Sequence, residues 1–386
     1  MLFASELGGG FGHVARMLPI ASALSEHGLT PLFAVPNPIE VHPLLSRTSF
    51  RCLQAPRVEQ RRRWQPERPQ VVRSFADILT LAGFAEERVL WPMLEAWKTL
   101  LDLADPCLVV CEYSPFLCLA AIDRRVVVLG NGFTLPPPHL SDFPPLSDQP
   151  HQLATAEMLR SVADVLRRRG WTVPPNLPSM LKGARHFVCT LAELDPYLAW
   201  RQEPPCGPPV LAESCTRITP TVDLFAYLAG ESPYSAPIIR ALAQSGLSGF
   251  LYARNAVPEL GELLNGSAIQ SLTDPASISS MLRQSRIVVH HGGMSLAEEA
   301  VFAGRPQVLL PIYLEQYLTS KRLSEMGLAA VVSARASSAE MAQQIRTAAA
   351  SERATEAACR ASDLVCSRHP SGSADLIADS CLALVV

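Results

Sequence analysis

Short apolar runs alternate with stretches of helical periodicity along most of the chain. Residues 107–111, 125–129 and 287–289 are short and mainly apolar, which is typical of parallel strands buried on both faces. Elsewhere apolar residues recur at helical spacing, as in residues 14–27, where the repeating positions are Met17, Ile20, Ala21 and Leu24. Strands that alternate with helices in this way predict an α/β protein with parallel sheets.

The α/β series starts afresh in the second half of the chain. Residues 203–209 contain four prolines and a glycine, too many for regular structure, and a new strand is predicted at residues 224–228. A length of 386 residues also suits two domains better than one core. We therefore predict an N-terminal domain, a C-terminal domain and a final helix, at residues 1–205, 206–370 and 371–386.

The richest stretch of candidate chemistry is residues 286–327. Its first strand ends at the letters HHGG, residues 290–293, where two glycines let backbone N–H groups approach a ligand closely. A helix should follow, with Ser295 as N-cap and Glu298 completing a capping box. A helix that starts at the carboxyl end of a parallel strand is an anion site, usually for phosphate.

A glycine-rich turn, LGGGFGH at residues 7–13, follows the first predicted strand. It does not fit a dinucleotide fingerprint, because His13 stands where the third glycine should be and no acidic residue ends the second strand. It does not fit a P-loop either, because it contains no lysine. The turn therefore needs a different explanation.

Composition and charge exclude several classes of protein. Hydrophobic residues make up 48% and charged residues 18%, as in a globular, core-forming chain. The net charge of −3 gives no argument for nucleic acid, and the arginine runs at residues 61–63 and 167–169 are typical of solvated helix ends. No apolar run reaches the ~20 residues of a spanning helix, and the ten cysteines show no metal-ligand spacing. A cytoplasmic, reduced protein is the simplest account.

Residues 290–316, HHGGMSLAEEAVFAGRPQVLLPIYLEQ, resemble the donor-binding signature of GT-B glycosyltransferases, in the UDP-glycosyltransferase superfamily of family-1 type. The resemblance implies that the donor diphosphate is held by His290, Gly292, Gly293 and Ser295. It implies that Glu298 accepts hydrogen bonds from the ribose hydroxyls. Glu315 and Gln316 would read hydroxyls of the transferred sugar. The family more often has Asp-Gln at this pair, so the sugar is left open.

The N-terminal turn resembles the corresponding loop of the same enzymes, a glycine-rich segment with Gly-His and a proline six residues later. The matching positions are Gly9, Gly10, Gly12, His13 and Pro19. The resemblance implies that His13 is the general base that deprotonates the acceptor hydroxyl.

In this family an acidic residue of the first domain often orients the base. The best-placed candidate is Glu112, since the carboxyl end of its predicted strand lies at the same edge as the His13 loop. Asp123 on the next helix is a second candidate, and a solvated strand-end carboxylate is the alternative explanation of Glu112.

Together the two motifs imply two Rossmann-like domains facing across a cleft, with the last helix crossing back to the first domain. The implied reaction moves a sugar from a UDP- or dTDP-sugar to an acceptor hydroxyl, with inversion, without metal and without a cofactor beyond the co-substrate. The implied acceptor is a small or lipid-like molecule. Peripheral membrane contact is left open, and so is the oligomeric state. Two alternatives stand beside this reaction: a nucleotide-sugar 2-epimerase of the same fold and a non-catalytic nucleotide-binding partner protein.

Overall fold

The computed structural model describes residues 1–58, 72–147, 154–209, 218–255, 257–273, 278–369 and 371–385, so the arginine run at 61–63 lies outside the described residues. The chain forms two compact units. Unit 1 comprises Met1–Val210 together with Ser373–Val386, and unit 2 comprises Leu211–Gly372.

Unit 1 is built on a six-stranded parallel sheet in the order β3-β2-β1-β4-β5-β6. Its strands are β1 (Leu2–Ser5), β2 (Leu32–Val35), β3 (Arg51–Gln54), β4 (Val109–Glu112), β5 (Val126–Gly130) and β6 (Arg185–Val188). Its helices are α1 (Gly12–Glu26), α2 (Pro38–Leu45), α3 (Phe75–Leu81), α4 (Glu87–Ala104), α5 (Pro115–Ala120), α6 (Thr155–Arg167) and, from the end of the chain, α14 (Ala374–Val385). This strand order is that of a Rossmann domain, in which ligands bind beyond the carboxyl ends of the strands.

Unit 2 repeats the same architecture. Its strands are β7 (Val222–Ala229), β8 (Gly249–Arg254), β9 (Ile269–Leu272), β10 (Ser285–His290), β11 (Gln307–Leu309) and β12 (Ala329–Val331), in the spatial order β12-β11-β10-β7-β8-β9. Its helices are α7 (Ser235–Gln244), α8 (Leu260–Leu263), α9 (Ile278–Gln284), α10 (Met294–Phe302), α11 (Leu314–Glu325), α12 (Ser338–Ala349) and α13 (Glu352–Arg368). All of the pairings are parallel, which fits the near-continuous apolar runs of the central strands.

The core of unit 1 forms where α1 packs between the sheet and α14. The apolar positions of α1 that recur at helical spacing, Val14, Met17, Ile20 and Leu24, are buried. From α14, Ile377 and Cys381 enter the same cluster and have no exposed surface. Burying a side chain of this size contributes about 1.5–3 kcal/mol, so α14 is part of the stability of unit 1.

Three local features of the structure are not those that the sequence pattern indicates. Helix α10 begins at Met294 with Gly293 as its N-cap and no side-chain cap, so the capping box of Ser295 and Glu298 was wrong. Residues 338–368 form two helices, because α12 ends at Ala349 and α13 begins at Glu352. Strand β9 was not predicted, because Gln270 and Ser271 are exposed at the edge of the sheet and interrupt the apolar pattern.

The arginine run at 167–169 forms surface contacts, as a solvated helix end should. Arg168 and Arg169 pair with Glu87 of α4, and Arg169 also lies 4.3 Å above the ring of Trp91. No helix within the described ranges is long and apolar enough to cross a membrane.

The cysteines of the described residues differ in burial and in bonding. Cys111 and Cys118 are buried, free and 3.4 Å apart, whereas Cys107 is exposed. Cys366 is disulfide-bonded, so the expectation of a fully reduced chain was wrong at that position.

Candidate functional site

In unit 1, His13 and Glu112 come together at the carboxyl edge of the sheet. Strands β1 and β4 are neighbours, with Ser5 level with Glu112, and His13 is the second residue of α1. Nδ1 of His13 is hydrogen-bonded to Oε2 of Glu112. Arg16 donates to the other oxygen, Oε1, at 2.8 Å, and Glu112 has no exposed surface. The carboxylate is therefore held between an imidazole and a guanidinium.

This arrangement sets the tautomer of the imidazole. Burial raises the pKa of the Glu112 carboxyl, but the charges and hydrogen bonds of His13 and Arg16 outweigh burial and leave the pKa below its usual range. An ionised carboxylate only accepts, so the proton of the neutral His13 ring lies on Nδ1 and the lone pair on Nε2. Arg16 was not singled out from the sequence, although it stands one helical turn after His13.

The glycine-rich turn shapes the space around Nε2 of His13. Gly8 has φ +84°, and a Cβ at this position would overlap Nε2. Gly10 is also left-handed, with φ +86°, while Gly9 is exposed and Gly12 starts α1. Gly8 was not among the predicted site residues, yet it is the glycine that lies against this nitrogen, where a side chain would not fit.

The other side of the imidazole faces Tyr113. The two rings are stacked with their centroids 5.8 Å apart, and the side chain of His13 is 17% exposed. Tyr113 has φ +52°, a left-handed conformation that is costly for a bulky residue. The turn after β4 thus places an aromatic ring against the candidate base at the expense of backbone strain.

Asp123, the second candidate for orienting His13, lies elsewhere. Its carboxylate is exposed and accepts hydrogen bonds from the hydroxyl of Thr172 at 3.0 and 3.1 Å. Glu112 is the carboxylate that contacts His13.

A second buried carboxyl, Glu6, lies at the same edge and was not predicted. Its Oε2 accepts from the backbone N–H groups of Phe116 and Leu117, both at 3.1 Å, at the start of α5. Burial raises its pKa to about 8, against the lowering effect of these hydrogen bonds and of Trp97. The sequence signal was an acidic residue directly after a buried strand.

In unit 2, His290 ends β10 with both ring nitrogens in contact with protein atoms. Nε2 is 2.8 Å from Oε1 of Gln307, and Nδ1 accepts from the N–H of Gly292 at 3.1 Å. The residue is 1% exposed, and burial lowers its pKa to about 4, so the ring is neutral. In this geometry His290 orients the HHGG turn instead of pointing an N–H at a ligand.

His291 differs from its neighbour. Its Nδ1–H donates to the carbonyl of Leu310 at 2.9 Å, and its Nε2 is buried with no hydrogen-bond partner within the described residues. The residue is only 6% exposed. A buried polar nitrogen without a partner is costly unless a ligand or water satisfies it.

The two glycines of the HHGG turn lie in different surroundings. Gly292 has φ +88°, and a Cβ there would lie 2.7 Å from Oγ of Ser320 and 2.9 Å from the carbonyl of Gln316, so this position packs directly on α11. Gly293 is exposed, with open space where a Cβ would point. Ser295 is half-buried in the first turn of α10.

The remaining predicted donor residues lie on the two helices that follow β10 and β11. Glu298 is 3% exposed on α10. Glu315 and Gln316 are half-buried in the first turn of α11. Oε1 of Gln316 accepts from the N–H groups of Ile312 and Tyr313, at 2.8 and 3.3 Å, so the Gln316 side chain caps the helix and its NH₂ group is what it can offer a sugar hydroxyl.

Comparison with known sequences gives a short match. No protein-family model matches the chain. The curated O-mycaminosyltylonolide 6-deoxyallosyltransferase of Streptomyces fradiae is 40% identical over 75 residues. That match covers 19% of this chain and 18% of the relative.

Three solved structures are similar to this chain over 94% to 100% of its length. The calicheamicin glycosyltransferase CalG4 is similar with a TM-score of 0.70 and 21% identity, over 100% of this chain and 97% of CalG4. The glycosyltransferase VinC, solved with dTDP, gives a TM-score of 0.63 and 16% identity over 94% of each chain. SnogD from Streptomyces nogalater gives 0.62 and 18%, over 100% of this chain and 99% of SnogD. The chain has the GT-B fold of these glycosyltransferases, and the predicted fold class is confirmed.

Proposed function

We propose that this protein is a glycosyltransferase of the UDP-glycosyltransferase, family-1 type that moves a sugar from a UDP- or dTDP-sugar to an acceptor hydroxyl. The observation that carries the proposal is the His13–Glu112–Arg16 cluster at the carboxyl edge of a GT-B N-terminal sheet. The short match to a 6-deoxyallosyltransferase supports the transfer of a sugar, and the likeness to VinC, which was solved with dTDP, supports a nucleotide-diphosphate donor.

In the proposed reaction His13 is the general base. Its Nε2 takes the proton of the acceptor hydroxyl while that oxygen attacks the anomeric carbon of the donor sugar. The bond from the anomeric carbon to the diphosphate oxygen breaks, and the nucleoside diphosphate leaves with the electron pair. A single displacement of this kind inverts the configuration. The imidazolium that forms is stabilised by the Glu112 carboxylate. The aspartate of a Ser-His-Asp triad orients and stabilises its catalytic histidine in the same way.

Unit 2 would hold the donor. The diphosphate would accept from backbone N–H groups of Gly293 and the first turn of α10, where the helix dipole favours negative charge. Glu298 is proposed to bind the ribose, and Glu315 with the NH₂ of Gln316 to bind the sugar. Stabilisation of the leaving group by these donors is consistent with a reaction that needs no metal, and metal independence stays a prediction.

The test is a panel of UDP- and dTDP-sugars with and without small-molecule acceptors. A donor present at 100 times its Kd should raise the free energy of unfolding by ~2.7 kcal/mol. Release of nucleoside diphosphate that depends on an acceptor would establish transfer. Conversion of the donor to its C2 epimer without acceptor would establish the epimerase instead, and binding without any turnover would favour a non-catalytic role. The small or lipid-like acceptor, peripheral membrane contact and cytoplasmic location stay predictions.

A further inference from the structure

A series of four rings in contact begins at the candidate base in unit 1. The imidazole of His13 is stacked on the ring of Tyr113, with the centroids 5.8 Å apart and an interplanar angle of 25°. Tyr113 also contacts Phe75, the first residue of α3, at 6.3 Å, and Phe75 contacts Phe143 at 5.2 Å. Phe75 has no exposed surface and Phe143 is buried. Tyr113 therefore connects the imidazole to the hydrophobic core.

The backbone of Tyr113 is held in place as well as its ring. Its φ of +52° is left-handed, which is costly for a bulky residue, so the surroundings must maintain it. The Tyr113 carbonyl accepts from the N–H of Leu7 at 3.0 Å, and this bond joins the turn after β4 to the glycine-rich turn. The hydroxyl of Ser114 donates to the carbonyl of Glu112 at 3.0 Å. Glycine would adopt the same φ without this cost, which indicates that the aromatic ring itself has a role.

The charge that develops on the imidazole during the proposed reaction is positive. A general base takes up a proton in the transition state, so His13 becomes an imidazolium. The face of an aromatic ring is electronegative and attracts a cation that lies within about 6 Å of its centroid. The separation of 5.8 Å between His13 and Tyr113 lies within this range. The stacking contact is therefore stronger with the protonated imidazole than with the neutral one.

Two charged groups of the described residues also influence the imidazole. Glu112 on β4 accepts its Nδ1 proton, and Arg16 on α1 donates to the same carboxylate. The charges of Arg16 and Glu112 also reach the thiol of Cys189. That thiol stays uncharged, because its contact with Cys206 and its burial raise the pKa of Cys189 well above its usual range. A substitution at Tyr113 changes none of these groups, so its effect on the imidazole can be measured separately.

We propose that Tyr113 is a positioning residue that strengthens His13 as a base, because its ring stabilises the imidazolium and the left-handed turn after β4 holds the ring against it. The proposal rests on the function proposed above, in which His13 is the general base. Tyr113 acts through His13, and the aromatic face is the part of the side chain that the effect needs. The strain at this residue is then the cost of placing that face.

The test compares Tyr113→Leu with its matched control Tyr113→Phe in the full chain. Both variants place a bulky residue at the same left-handed position, so they share the strain, but only phenylalanine keeps an aromatic face. The NMR signals of the His13 ring are followed from about pH 5 to about pH 9, on either side of the usual titration range of histidine. His13→Gln identifies these signals among those of the nine histidines.

The titration midpoint of the His13 signals should depend on the aromatic face. It should fall by roughly 0.4–0.7 pH unit in Tyr113→Leu, because the protonated ring loses a cation–π contact. It should stay at the wild-type value in Tyr113→Phe, which keeps that contact. This measurement needs neither donor nor acceptor.

Turnover gives a second measurement. Tyr113→Leu should lower the plateau value of kcat roughly 2- to 5-fold and move the acidic limb of the pH profile to lower pH, because the base is weaker. Tyr113→Phe should keep both at the wild-type values. A merely structural role of Tyr113 would lower kcat without moving the limb. Titration with UDP checks that donor binding is the same in both variants.

An unchanged or higher midpoint in Tyr113→Leu would overturn the proposal. So would an equal fall in both variants, which would assign the effect to the hydroxyl of Tyr113 instead of its ring. These outcomes are separate from the proposed function. A midpoint that shifts as expected in a protein that transfers no sugar would refute the transferase and leave the stacking effect standing. Sugar transfer by a protein whose midpoint does not respond to Tyr113 would do the reverse.

Discussion

At the residue scale, the candidate base is defined by what surrounds it. Burial raises the pKa of Glu112, but His13 and Arg16 together lower it below its usual range, so the carboxylate is charged at neutral pH. It therefore accepts the Nδ1 proton of His13 and leaves Nε2 as the basic nitrogen. Gly8 lies against that nitrogen, and the ring of Tyr113 is stacked on the imidazole.

Removing the base should lower turnover without removing donor binding. We expect His13→Ala to reduce kcat by roughly 10²- to 10⁴-fold, because proton abstraction in the transition state is lost. Glu112→Gln should cost less, since it removes the stabilising charge and the tautomer control but keeps the ring. Steady-state kinetics and UDP titration would check both variants, with Asp123→Asn as control. Wild-type turnover by His13→Ala would contradict the mechanism.

Gly8 offers a second test of the same nitrogen. Gly8→Ala should reduce kcat while nucleotide affinity is unchanged, because the added Cβ overlaps Nε2 of His13. Gly28→Ala is the matched control: its φ of +81° imposes similar backbone strain, but nothing lies within 4 Å of the new methyl group. Equal activity loss in the two variants would assign the effect to strain and not to the approach of the acceptor.

At the element scale, polar side chains cap the helices that start at each sheet edge. Glu6 caps α5 and Gln316 caps α11, each by accepting from two backbone N–H groups. Such groups satisfy donors that a helix start leaves unpaired. The caps also determine which atoms of these side chains stay available for chemistry.

The two roles of Gln316 can be separated by substitution. Gln316→Glu keeps an oxygen to cap α11 but loses the NH₂ donor, so we expect unchanged thermal stability, weaker binding of the intact donor and unchanged affinity for the bare nucleotide. Gln316→Ala should also lose about 1 kcal/mol of unfolding free energy with the cap. Equal losses for nucleotide and nucleotide sugar would remove the basis for a sugar contact.

Glu6 should make the stability of unit 1 depend on pH. Its pKa is about 8 in the fold against a reference value of 4.5, so its contribution is fully present below pH 4.5 and is lost as pH rises through 8. The loss should be on the order of a few kcal/mol. Denaturation of wild type and Glu6→Gln between pH 5 and 8.5 would measure it. Parallel pH profiles for the two proteins would mean that Glu6 does not titrate over this range.

At the scale of the whole molecule, the C-terminal segment of the chain belongs to unit 1, together with the N-terminal segment. Residues Ser373–Val386 belong to unit 1, and Ile377 of α14 has no exposed surface. This link joins the two ends of the chain in one core.

Truncating a buried side chain of α14 should therefore destabilise unit 1. We expect Ile377→Ala to cost about 2–5 kcal/mol, as for other buried aliphatic residues. The neighbouring Leu376 is 55% exposed, and Leu376→Ala should change stability by less than about 0.5 kcal/mol. Calorimetric unfolding of both variants compares them directly. Equal melting temperatures would mean that α14 adds little to the core.

The amino-acid sequence by itself determined the class of fold and the motifs. Apolar runs and helical periodicity depend on neighbours along the chain, so they predicted the α/β architecture. The GT-B resemblance of the two motifs implied His13 as the base, and it left Glu112 and Asp123 open as the residue that orients it. The tertiary structure decided the contacts between distant residues. Strand order and burial determine the contact of Arg16 with Glu112, the hydrogen bonds of the His290 ring and the unpartnered Nε2 of His291. Local patterns carry no information about which polar atom is left without a partner, because that depends on everything packed around it.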